Sequence, residues 1–297
     1  AKPLVGVAIG PTNSVAVGER EIMLSSDGLT WRRLPVFATR ALHFIRYRRG
    51  RYFAGGDLGV FLTSTNGVDW QESSTQSNAI LHSLATDGNL EVLVGPRGAK
   101  YYSTDGTTWQ PATGGWTGAD ITWNDVTWGD GVWVCVGDGR LISSADGMTW
   151  EIRQISTSLN LAGVTYAQGQ FVAVGADGAL LTSPDGATWT RQPAPTTNHL
   201  TSVTFFKGKY LATVEPKSLK LPVPGILTST DGVNWSPDAL ILPVQGRLLR
   251  IAHDGQVALA VGEPGYICRL AESQQQQPKL DLQRDGDFLR FSVQGRA

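Results

Sequence analysis

One seven-residue frame, Ser-x-Asp/Asn-Gly-x-Thr/Asp/Asn-Trp, is written six times along the 297-residue chain. The copies are Ser25–Trp31, Ser64–Trp70, Ser103–Trp109, Ser144–Trp150, Ser183–Trp189 and Ser229–Trp235, and their tryptophans follow at steps of 39, 39, 41, 39 and 46 residues. Self-similarity at such a period predicts a repeat architecture, in which each unit buries its faces only by stacking on its neighbours. Length alone allows two domains, but regular repetition favours one closed domain.

The fifth unit, Leu161 to Ala194, shows how a repeat should fold. Leu161–Tyr166 alternates and ends at a polar turn, Phe171–Val174 is a second apolar run stopped by glycine, Ala179–Ser183 is a third, and Thr190–Gln192 is a short fourth. Four short antiparallel strands with glycine-rich turns make one blade of a β-propeller. The repeated box then falls between strands three and four. Its Asp or Asn is suited to accept hydrogen bonds from the N–H groups of a tight turn, and the following glycine supplies a positive φ. The tryptophan folds under the turn and buries a large apolar surface, leaving its indole N–H to find a partner.

The box resembles the Asp-box, or bacterial neuraminidase, repeat. The resemblance covers six units, and Asn66 and Asp69 are the main departures, both in the second copy. It implies a propeller. For function it implies several unlike things, because such boxes occur in sialidases, other glycosidases, sorting receptors and photosystem assembly factors.

The units run from Leu4 to about Val36, Leu42 to about Ser74, Leu81 to Ala112, Trp123 to Gln154, Leu161 to Ala194 and Leu200 to about Asp238. A seventh, without a box, begins at Leu248, where Leu248–Gly255 matches Leu81–Gly88 of unit three. The expected fold is therefore all-β, a seven-bladed propeller over residues 1–272 with box turns in six blades. Residues 273–278, with four consecutive glutamines, read as a polar linker, and 279–297 as a β-hairpin. The hairpin is expected either to dock on the open edge of blade seven or to begin a further, truncated domain.

Composition excludes some classes of function. Lysine plus arginine (25) balances aspartate plus glutamate (26), without a block of one sign, so a nucleic-acid partner is not expected. No apolar run is long enough for a transmembrane helix. The expected setting is secreted or periplasmic, with the chain beginning after a removed signal, and the expected state is a monomer. Cys135 and Cys268, the two cysteines, fall in distant units and read as buried, unpaired apolar residues.

A box repeated six times cannot define a unique site, so function should lie where the blades differ. With the inner strands aligned on Val7, Ile45, Leu84, Val126, Val164, Val203 and Ile251, the preceding positions bring His43, His82, Asn124, Asp125 and Arg250 towards the channel mouth. His199 joins them from the loop leading into blade six, and Arg40 and Arg247 from neighbouring blades. Trp116 and Trp123 of unit four are aromatic candidates for stacking on a sugar or anchoring a partner. Lys217 and Lys220 lie in a Pro-rich excursion of blade six, residues 215–225, where extra length suits recognition. Two histidines without an adjacent carboxylate are too few for a metal, so neither metal nor cofactor is expected.

Three functions compete. A sialidase needs three arginines clamping a carboxylate, a Tyr–Glu pair and an acidic proton donor. The Phe-Arg-Ile-Pro element that carries the first of those arginines in that family is absent, since Phe44-Ile-Arg-Tyr47 does not match it. A second reading is a hydrolase or lyase using Asp125 with His43 or His82. The favoured reading is a non-catalytic propeller that binds a protein or carbohydrate on the loop face opposite the boxes.

Overall fold

The computed structural model describes residues 2–35, 40–74, 78–155, 160–218, 225–238, 246–270, 279–285 and 288–294. It is all-β, and the described residues make seven sheets, each built on three or four antiparallel strands from one contiguous stretch of sequence. In blade five the strands are Leu161–Ala167, Gln170–Gly175, Leu180–Ser183 and Thr190–Arg191. The first two are joined by Gln168-Gly169, both at positive φ (51° and 76°), as a tight hairpin with right-handed twist requires.

The inner strands are Leu4–Ile9, Leu42–Arg48, Ser83–Thr86, Trp123–Gly129, Leu161–Ala167, His199–Phe206 and Arg247–His253. They follow one another around a central channel, and that of blade one packs on that of blade seven. The core is divided accordingly. Seven apolar clusters are found among the described residues, one at each seam between neighbouring blades. Each blade thus buries both faces against its neighbours, the packing that the repeat implies. Cys135 and Cys268 are buried and unpaired in blades four and seven.

The six boxes lie between the third and fourth strands, as their spacing predicts. In the third copy Asp105 Oδ1 accepts Thr107 N and Thr108 N, both at 2.7 Å, and Ser103 Oγ accepts Gly106 N at 2.9 Å. Asn66 makes the same pair of turn contacts in the second copy. The indole N–H groups of Trp31, Trp70, Trp150, Trp189 and Trp235 donate to the carbonyl of the box glycine. Trp109 is the exception, buried with its Nε1 unpartnered.

The C-terminal hairpin departs from expectation. Strands Lys279–Asp285 and Phe288–Gln294 pair with each other, and the second joins Thr30–Arg33, the outer strand of blade one, giving a six-stranded sheet. It does not join blade seven, which has three strands among the described residues. The physical reason is ring closure: blade one is the next blade after blade seven, and its outer strand also presents a free edge. The linker, residues 273–278, lies outside the described residues.

Candidate functional site

Antiparallel pairing fixes two unlike faces. The box turns and the hairpins between strands one and two lie on the lower face. The starts of the inner strands and the loops joining strands two and three lie on the upper one. On the upper face the channel opens into a cavity of about 480 Å³.

Its lining grows from a backbone device. Six inner strands shift register near their start, leaving one extra residue against the partner strand: Val5, His43, Asn124, Ala162, Thr201 and Leu249. Such β-bulges re-aim a side chain at the rim of a sheet. All six extra residues line the cavity, and His82 completes the ring from blade three. Of the positions singled out by aligning the inner strands, His43, His82, Asn124 and Arg250 line this cavity, while Asp125 lies in the channel below it.

The polar side chains are largely engaged with one another. His43 Nε2 lies 2.7 Å from Asp57 Oδ1, and its ring meets that of His82 edge-on at 5.6 Å. His82 Nδ1 is 3.2 Å from the Trp123 carbonyl, and burial, aided by His43, pulls the His82 imidazole down to about 4. Asn124 Nδ2 donates to Asn160 Oδ1 and Leu161 O, both at 2.8 Å. Thr201 Oγ1 donates to Leu248 O at 2.8 Å. His199 Nδ1 accepts the Asp177 N–H at 3.2 Å, and Lys217 forms an ion pair with the Asp177 carboxylate. That lysine holds the Asp177 carboxyl below the usual range.

Asp125 and Arg250 cross-link the channel below. Asp125 is buried, accepts Ser83 Oγ at 2.6 Å and Val164 N at 3.1 Å, and faces Arg46 Nη2 at 3.6 Å. One carboxylate thus ties blades two, three, four and five. Arg250 donates from Nη1 to the carbonyls of Ala162 (3.2 Å) and Thr201 (3.1 Å), and Nη2 lies 3.5 Å from that of Asn124. It spans from blade seven to blades four, five and six. Burial lowers the Arg46 guanidinium to about 10. Sequence reasoning missed Arg46 because its partner stands two blades away.

Other candidates sit elsewhere. Trp123 is fully buried (0% exposed) in the seam between blades three and four and offers nothing to a ligand, because the apolar side chains of blade three cover it. Trp116 is 39% exposed, with the Arg140 guanidinium 5.4 Å above its ring. The arginines do not converge. Arg40 donates to Leu58 O at 3.4 Å, Arg247 sits between Glu215 (2.6 Å) and Glu263 (2.7 Å), and Arg250 is held by carbonyls. Lys220 lies outside the described residues. Asn160, which the sequence did not single out, and Glu215, the first residue of the blade-six excursion, also line the cavity. Among the described residues no group of three or more His, Cys, Asp or Glu is arranged to hold a metal ion.

A family model described as the DUF6242 beta propeller domain matches residues 97–198, less than half of the chain. No curated protein matches. Among solved structures, one of YCF48 bound to D1 peptide is similar with a TM-score of 0.73 and 14% identity, covering 92% of each chain. YCF48 from Cyanidioschyzon merolae gives 0.71 and 17%, covering 90% of this chain and 95% of that one. The extracellular domain of BT4673 from B. thetaiotaomicron, described as a hybrid two component system, gives 0.72 and 12%, covering 95% of this chain and 39% of that one. At these identities the likeness is one of fold: this chain is a β-propeller of the same architecture.

Proposed function

We propose that the protein is a non-catalytic binding propeller of the Asp-box kind, and that its ligand is a segment of protein chain laid across the upper face into the central cavity. The observation that carries this reading is the chemistry of the lining. Among the described residues Glu215 is the one carboxylate that lines the cavity, and Arg247 neutralises it. Glycosidase chemistry would need two carboxyl groups facing each other about 5–10 Å apart. What the cavity offers is a ring of imidazole, amide and hydroxyl groups in fixed orientation, suited to hydrogen-bonding a backbone or polar side chains. The likeness to a YCF48 structure that holds a D1 peptide supports a protein partner, and Trp116 with Arg140 and Lys217 with Asp177 form the surrounding rim. A secreted or periplasmic monomer is the setting that goes with this reading.

The test is selection of peptides from a random phage-displayed library on the immobilised chain, followed by calorimetry. Selected peptides should bind wild type at micromolar Kd or better, and His82→Ala and Asn124→Ala should each weaken them about tenfold. Peptides that bind both variants as well as wild type, or a chain that selects only glycans, would sink the reading.

A further inference from the structure

The lower half of the channel holds a second cavity, of about 200 Å³, on the face opposite the proposed peptide site. Thr127, Thr165 and Thr204 line it from blades four, five and six, Arg48 from blade two and His253 from blade seven. Among the described residues none of the three threonine hydroxyls has a protein hydrogen-bond partner.

Charge along the axis is unbalanced. The Arg46 guanidinium feels those of Arg250 and Arg48. Against these three cations the lower cavity has one lining carboxylate, Asp125, and it is already engaged by Ser83, Val164 N and Arg46. Arg48 donates from Nη1 to the Tyr47 carbonyl at 2.8 Å and has no carboxylate within ion-pair reach among the described residues. His253 uses Nδ1 to accept the Gly255 N–H at 3.2 Å, so its neutral ring carries the proton on Nε2. Burial and the Arg48 charge disfavour its imidazolium, and outweigh the opposing charge of Asp254. A narrow cleft walled by low-dielectric protein concentrates such a positive field.

We propose that the lower cavity binds a phosphate-class oxyanion, with Arg48 as its charged contact and the threonine hydroxyls and His253 Nε2–H as further donors. The arrangement favours a tetrahedral anion over a carboxylate. Donors approach from five different blades around the axis, whereas a planar carboxylate presents its two oxygens to one side. A guanidinium fork also matches two phosphate oxygens at once. Trp128, 38% exposed at the same cavity, gives an organic phosphate a ring to lie against.

The experiment is isothermal calorimetry of the whole chain with inorganic phosphate, and separately with a sugar phosphate, each at fixed ionic strength against chloride. Wild type should bind one phosphate saturably. Arg48→Gln should weaken it about 10- to 100-fold, the loss of a charge-assisted contact. Arg191→Gln, on the exposed outer strand of blade five, should leave it unchanged. Tighter binding of the sugar phosphate would identify an organic source, and equal binding the free ion. Should Arg48→Gln fail to fold by circular dichroism, Thr165→Val decides, because it removes a donor and keeps the shape. Absence of saturable binding by wild type, or undiminished binding by these variants, overturns the proposal.

Discussion

Each box turn rests on two oxygens with different tasks. In the fourth copy Ser144 Oγ accepts the buried Gly147 N–H at 2.9 Å, while Asp146 Oδ1 gathers Met148 N and Thr149 N at 2.8 Å. Ser144→Ala leaves that glycine N–H without a partner, so guanidinium unfolding should show a loss of about 1–3 kcal/mol. An unchanged midpoint would mean that Asp146 holds the turn alone. Titration reads the same chemistry. The N–H groups of Thr188 and Ala187 hold the Asp185 carboxyl at about 2, below its usual 3.8, so its contribution is complete above pH 3.8 and is lost as pH falls through 2. The His82 imidazole, at about 4 instead of 6.5, keeps its contribution above pH 6.5 and loses it between 6.5 and 4. A pH series of unfolding should therefore show a mild-acid slope that His82→Gln flattens, and the ring should titrate near 4 by NMR. A ring midpoint near 6.5 would refute the burial argument. His82 and Asn124 were legible because the repeat period fixes the register of every inner strand. The cross-linking roles of Asp125 and Arg250 were not, since neither the donors that Asp125 gathers from blades two, three and five nor the carbonyls that Arg250 reaches up to three blades away leave a mark in the sequence. Nor was the burial of Trp123, which depends on what blade three places over it.

At the scale of elements, blade four is the irregular one. The chain leaving blade three first runs parallel to its outer strand, Thr113–Gly114 beside Thr149–Trp150, before climbing to the upper face. Lys100 anchors that climb: it is buried, and its Nζ donates to Gly98 O (3.1 Å) and Trp116 O (3.2 Å) and lies 5.9 Å over the Trp123 ring. Burial lowers its pKa, which a lysine held by carbonyls without a carboxylate should show. Lys100→Met keeps the length of the side chain and removes both hydrogen bonds. Residues 112–118 should then exchange their amide hydrogens faster while the strands of blades three and four do not. Uniformly unchanged exchange would show that the Trp116 loop holds itself. Sequence placed Trp116 correctly as an exposed aromatic, but the lysine that fixes it read only as one more charge in a strand.

For the whole molecule the question is what closes the ring. The inner, middle and outer strands of each blade come from one contiguous stretch, and the C-terminal hairpin adds to the outer edge of blade one without supplying any of its own four strands. Closure rests on the seam between blades one and seven, where Leu4, Val7, Ala16, Met23 and Trp31 meet Leu259, Val261 and Ile267. The period made seven blades legible, yet it could not say which edge the terminal hairpin would take, because adjacent blades both offer one. Two variants separate the seam from the hairpin. Leu259 is fully buried, and Leu259→Ala opens a cavity in the seam, so it should cost about 2–5 kcal/mol. Truncation after Leu270 removes the hairpin, which among the described residues pairs outside itself only with the outer strand of blade one, and should leave a cooperative unfolding transition at a smaller cost. An edge strand in solution has water for its unpaired groups, whereas an apolar seam has no substitute for the atoms it loses. If truncation abolished cooperativity while Leu259→Ala was nearly neutral, the hairpin and not the seam would be the clasp, and blade one would owe its place to the end of the chain.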